Sequence, residues 1–319
     1  GNRPKCIQPV AGTPIARHAI DGFAVTPDSP VTYASTGSHA TTICVVGHKW
    51  DTVVDALGSD PIYVKSDNPV GGTAYATYEA LSVPGLLDAN PIVVITMGDR
   101  IVPPATFRTL LNVHTGRGST TAAVGGHIGA DFHPGRTEAP AGAKSQPNAA
   151  EADLTFLSAQ YQPPRNQGKG RIARDSTGSA TAIVEERDIL AMPDGPERAS
   201  LLNLTEGNCP LYAARARTLR SHLAALTNDN AQHQYYLTDI VASIARVGGL
   251  IRTIPTRPGD PEYDLLTSDV TRPEDLQRLE AIVDKTGAPN TSSTVSGSVL
   301  KVDKRREAVW LGMKHGRQD

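Results

Sequence analysis

Apolar positions along this chain fall into short β-branched runs alternating with helix-length stretches, the pattern of a largely parallel sheet covered by helices. Residues 41–46 form the first clear strand run and 51–57 a helix, followed by a short strand at 62–64 and a helix at 73–81 behind the Gly71-Gly72 turn. Pro91-Ile-Val-Val-Ile-Thr96 is the strongest strand signal. It delivers Met97-Gly98-Asp99 to the carboxyl end of a strand, where open α/β sheets bind ligands. Pro103-Pro104 then open a helix predicted to run to His114.

From 115 to 151 the pattern dissolves into Gly, Ala, Pro and Thr without periodicity, which predicts an exposed insertion or flap. Order returns with a strand at 152–159. A hairpin at 171–174 and 182–185 turns at Asp175-Ser-Thr-Gly178 and is expected to lie over a pocket. A short strand at 211–213, helices at 214–226 and 238–247, and a strand at 250–254 follow. Thr271-Arg-Pro-Glu274 resembles a capping box before a helix at 273–283. The division expected is a domain over 1–285, then a Ser/Thr/Gly linker and a tail over 286–319 with a basic, helix-compatible stretch at 299–309. The fold class is α/β, a Rossmann-like, mostly parallel mixed sheet flanked by helices.

Composition narrows the function by exclusion. The 319 residues carry 31 Lys+Arg against 33 Asp+Glu, a net charge of -2, so no overall basic field points to nucleic acid or an anionic membrane. No apolar run reaches the roughly 18 residues of a spanning helix. Cys6, Cys44 and Cys209 are odd in number and unpaired in spacing, which suits a reducing, cytoplasmic setting. His114, His127, Asp131 and His133 match no zinc spacing and read as polar residues in or beside the insertion.

Four motifs go further: Asn230-Ala-Gln-His-Gln-Tyr-Tyr-Leu-Thr-Asp239, Gly168-Lys-Gly-Arg-Ile172, Ile183-Val-Glu-Glu-Arg-Asp188 and Met97-Gly-Asp-Arg100. With Pro4-Lys5 and Pro9-Val-Ala-Gly-Thr-Pro-Ile-Ala-Arg-His18, they resemble the sugar-1-phosphate nucleotidyltransferase family, in particular the pyrophosphorylase domain of its N-acetylglucosamine-1-phosphate uridylyltransferases. The resemblance spans about residues 4–283. It implies an enzyme that couples a nucleoside triphosphate to a sugar-1-phosphate or cyclitol phosphate and releases pyrophosphate; the alternative is a noncatalytic nucleotide-sugar-binding regulator of the same fold. A homo-oligomer is left open.

Such chemistry must neutralise two anionic substrates and align one oxygen with the α-phosphorus. The resemblance assigns Mg²⁺ to Asp99, with Asp269 as second carboxylate (Asp264 or Asp260 could replace it), and Lys5 to the triphosphate. It assigns Gly12, Val70, Gly72, Thr73 and Met97 to the nucleotide, and Gly170, Glu185, Asn208, Tyr236 and Thr238 to the sugar phosphate. Three departures stand out. Val70 replaces the family's glutamine, Pro210 alters the segment after Asn208, and the family's opening strand and glycine-rich loop have no counterpart before Gly1, where a leader is expected to carry them. Arg117 and Arg136 of the insertion would reach phosphate if it closed over substrate.

Overall fold

A computed structural model describes residues 3–24, 41–68, 71–117, 150–270, 272–286 and 308–313. Its strands are β1 (Pro9–Val10), β2 (Thr13–Pro14), β3 (Thr41–Val46), β4 (Ile62–Lys65), β5 (Ile92–Met97), β6 (Leu154–Gln160), β7 (Arg171–Arg174), β8 (Ala180–Val184), β9 (Glu206–Arg215), β10 (Ile251–Thr256) and β11 (Ala308–Met313). β1 and β2 form a small hairpin; the main sheet runs β10-β6-β9-β5-β11-β3-β4, with β7 and β8 attached beside β9. Its pairs are parallel except where β9 lies antiparallel between β5 and β6, and in the β7–β8–β9 hairpin region. This is the mostly parallel mixed sheet that the hydrophobic pattern predicts.

β5 shows why the pattern is legible. All six of its residues are buried. Ile92 and Val94 enter the core on one face of the sheet, whereas Val93, Ile95 and Met97 enter the core on the other. The helix Pro104–His114 follows with proline at its first turn, and Phe107, Leu110, Leu111 and His114 form its buried stripe. His114 is fully buried, its Nδ1 3.1 Å from the Thr155 hydroxyl. It is a core histidine; His127, Asp131, His133 and Arg136 lie outside the described residues, and among those described no cluster of three metal-ligating side chains occurs. Nor is any helix among them long and apolar enough to cross a membrane.

Helices at Ile15–Ala24, Glu186–Ala191, Pro196–Asn203 and Tyr263–Thr267 were not anticipated, and two strands differ from expectation. β9 is ten residues long rather than three because Pro210, which punctuates the run, is absorbed where the register with β6 shifts between Phe156 and Leu157. The second difference is β11. The tail was expected to be a linker and a helix-compatible stretch, yet Ala308–Met313 is a strand, parallel to β5 on one side and β3 on the other. It lies between β5 and β3 in the main sheet. Val70 and Thr271 lie outside the described residues.

Two measurements check this fold. Removing 308–319 should take a central strand from the sheet and sharply lower the melting temperature; an unchanged melt contradicts the placement of β11. Burial, foremost, pushes the His114 imidazole down to about 4 from an ordinary value of 6.5. The unfolded chain therefore takes up this proton first as pH falls. Stability should drop between pH 6.5 and about 4, by on the order of 3 kcal/mol at most, and urea unfolding of His114→Gln should show a shallower decline over that window.

Candidate active site

Three loops meet near the carboxyl end of β5. Met97 is buried, Gly98 is buried, and Asp99 emerges half-buried in the turn that follows. Arg100, next in sequence, turns inward: it donates to the Leu266 carbonyl at 2.7 Å and to the Asp269 carboxylate. The Cys209 thiol, 3.3 Å from the same Leu266 carbonyl, adds a second tie. Asp269 is thereby held beside the strand end that carries Asp99.

The second loop precedes β7. Lys169 contacts the other oxygen of Asp269 and lies 5.3 Å from the centroid of the Tyr161 ring. Burial, then Arg100, push its ammonium down to about 7, while Asp99 and Glu185 act in the opposite sense. The neighbouring Gly170 gives its carbonyl to the Asn208 N–H at 2.9 Å. A side chain at Gly170 would stand 2.7 Å from Ile183 and 3.2 Å from the Glu185 carboxylate, so glycine is what lets the loop pass this close. Asn208 is further fixed through its side-chain oxygen, which accepts from the Tyr212 hydroxyl at 2.8 Å.

The third loop is the Asn230–Asp239 block. Asn230 braces it, accepting from the N–H groups of Gln232 and Gln234 at 3.2 Å and donating to the Gln234 carbonyl at 2.6 Å. At its end Thr238 donates to Glu185 at 2.9 Å. Burial pushes the Glu185 carboxyl up, and the Thr238 hydrogen bond works against it. Asp239 is pushed up to about 6 by burial and then by Asp188. Tyr236 is buried, its hydroxyl donating to Gln232 at 3.1 Å.

The same block grips the glycine turn before the helix Gly72–Ala80. The Tyr235 N–H donates to the Gly71 carbonyl at 3.2 Å, the Ala74 N–H to the Tyr235 carbonyl at 2.9 Å, and the Leu237 N–H to the Thr73 hydroxyl at 2.9 Å. Gly72 has φ +76, and a Cβ there would lie 2.5 Å from the Tyr235 carbonyl oxygen.

Of the residues expected from sequence, Gly170, Glu185, Asn208 and Thr238 converge on one another. Asp99 and Asp269 share the neighbourhood of Arg100 and Lys169, and Gly72 and Thr73 join through the Tyr235–Leu237 segment. Gly12 stands apart in the β1–β2 turn, whose Ala11 N–H faces Glu280 of the helix Pro273–Thr286 at 3.3 Å. Lys5 opens a single helical turn, and no hydrogen bond among the described residues joins its side chain to the cluster. A magnesium-like cation takes one or two carboxylates with phosphate and water oxygens. Asp99 fits that need, whereas both oxygens of Asp269 are already occupied by Arg100 and Lys169. Lys169 itself was overlooked: between two glycines, it reads as a solvent lysine in a turn.

Sheet order and the residues gathered beside β5 define a nucleotide-diphospho-sugar transferase fold. A solved nucleoside-diphosphate-sugar pyrophosphorylase from Vibrio cholerae RC9 shares that fold, with a TM-score of 0.50 at 11% identity over 88% of this chain and 93% of that one. The chain resembles the sugar-1-phosphate nucleotidyltransferase family and is similar to the bifunctional protein GlmU. It is 30% identical to GlmU of Halorhodospira halophila over 251 residues, 78% of this chain and 40% of that one, and 32% identical to GlmU of Aromatoleum aromaticum over 252 residues, 79% and 42%. The chain thus spans less than half the length of these relatives. No family model matches it.

Gly72→Ala tests the joint between the glycine turn and the tyrosine block. Positive φ and the close carbonyl together should cost roughly 2 kcal/mol; thermal unfolding identical to wild type would show that this contact is not made.

Proposed function

We propose that the chain is a nucleotidyltransferase that joins a nucleoside triphosphate to a sugar-1-phosphate or cyclitol phosphate, releasing pyrophosphate. The observation that carries this reading is the Gly170–Glu185–Asn208–Thr238 group together with the Arg100–Asp269–Lys169 trio that follows Asp99 at the end of a buried central strand. One group suits phosphate chemistry and the other a polyhydroxylated ring.

Glu185, fixed by Thr238, is an acceptor for ring hydroxyls, and its partial burial strengthens such a bond relative to water. Asn208 presents its amide from β9, with its carbonyl already committed to Tyr212. Tyr236 walls the same side. Gly72 and Thr73, held against Tyr235, are assigned to the nucleotide. Lys5 and Gly12, on the N-terminal segment, are assigned to the triphosphate, and Met97 to the floor beneath the base.

Asp99 would hold a divalent cation, Mg²⁺ by its preference for carboxylate and phosphate oxygens, and that ion would neutralise charge developing at the α-phosphate. The chain's own residues supply position. The sugar phosphate is gripped at Glu185 and directed toward the end of β5, which lowers the barrier by orienting the attacking oxygen. Relatives named as bifunctional, a strand end that suits phosphate chemistry and a polar pocket beside it all support this reading. A cytoplasmic location fits the three buried cysteines.

Pyrophosphate release with each of the four triphosphates against a panel of sugar-1-phosphates and cyclitol phosphates tests it. At least one pair should turn over with Mg²⁺. Asp99→Asn should lower kcat/KM by about 100-fold or more, and Glu185→Gln should raise KM for the sugar phosphate by about tenfold with KM for the triphosphate unchanged. Tight binding of a nucleotide sugar without turnover of any pair would make the chain a binding protein instead.

A further inference from the structure

The loop before β7 is built around Lys169. Arg171, almost wholly buried, donates to the carbonyls of Asn166 at 2.7 Å and Lys169 at 2.5 Å and pairs with Glu186 at 2.8 Å. Glu186 in turn accepts the Gly168 N–H at 2.8 Å, and Gly168 takes the φ of +73 that closes the turn. Backbone on both sides of Lys169 is therefore fixed. The side chain points inward, only 12% exposed, to the Tyr161 ring and the Asp269 carboxylate.

Arg100 shares that carboxylate, so two basic side chains face one anion. Asp269 is 37% exposed and covers them from the open side. Lys169 adjoins Gly170, where a Cβ would stand 3.2 Å from the Glu185 carboxylate, and shares Asp269 with Arg100, the residue after Asp99; it therefore lies near both the strand end and Glu185. A sugar phosphate spanning those two points must set its phosphate beside Lys169.

We infer that Lys169, backed by Arg100, binds the phosphomonoester of the acceptor substrate, and that Asp269 is a resident counter-anion holding the two cations in place until phosphate arrives. This inference rests on the transfer reading above for the identity of the ligand. A phosphate oxygen accepts charge-assisted hydrogen bonds from both cations and can take the place of a partly exposed carboxylate. Nothing covalent changes in this step; one anion replaces another.

Inorganic phosphate is the probe, titrated calorimetrically into the full chain without nucleotide. Lys169→Met should weaken phosphate binding by about tenfold or more, and Lys169→Arg should keep most of it. Asp269→Asn should tighten it, because the competing anion is gone. In turnover, Lys169→Met should raise KM for the sugar phosphate and leave KM for the triphosphate unchanged. A lysine that only braces the loop would lower the melting temperature without moving phosphate affinity, and that result overturns the inference. If Lys169→Met does not fold, Asp269→Asn decides: phosphate binding no tighter than wild type overturns it equally. Should no substrate pair release pyrophosphate, the transfer reading fails while the phosphate titration still reports on Lys169.

Discussion

Everything at the candidate site hangs on a strand that has no exposed face. β5 is buried above and below, flanked by β11 in parallel and β9 in antiparallel array, and its backbone hydrogen bonds are satisfied on both edges. Such a strand cannot shift register without carrying its alternating side chains to the wrong core. The turn at its carboxyl end inherits that rigidity, and Asp99 and Arg100 are fixed relative to the rest of the sheet. A carboxylate proposed to hold a cation against a phosphate belongs on such a support.

Charge is organised around that support in a graded way. Asp99 is half-buried at the strand end; Arg100, one residue on, looks inward and ties the strand to the 266–269 segment. Lys169 closes the trio from the β7 side, and Glu185 continues the line to Thr238. Arg100, Lys169 and Asp269 are buried or half-buried together, as the cost of an unpaired charge at low dielectric requires. The polar line from Asp99 to Thr238 matches the length-wise polarity of a ligand that is phosphate at one end and hydroxylated ring at the other.

Much of this was legible in the chain itself. The run at 91–96 reads as a buried strand from its pattern alone, whereas only the resemblance set the Asn-Ala-Gln block beside the Val-Glu-Glu segment, where Thr238 meets Glu185. The pairing of the glycine turn with Tyr235 was not readable, because 162 intervening residues hide a contact made by backbone groups common to every sequence. β9 was under-read because Pro210 normally ends a strand, and only the bulge opposite it makes room. β11 was missed because a basic run precedes a segment too short to show alternation. Lys169 was passed over for a similar reason: flanking glycines announce flexibility, and the buried Arg171–Glu186 pair that fixes the loop lies several residues further on.

The central claim is that phosphate chemistry takes place between the end of β5 and Glu185. A crystal structure of the full chain with a bound nucleotide sugar and Mg²⁺ tests it most directly. The account predicts the diphosphate lying across Asp99 and Lys169, with ring hydroxyls on Glu185 and the base against the Gly71–Thr73 turn. A nucleotide sugar seated elsewhere, with Asp99 and Glu185 both free of it, would contradict the account.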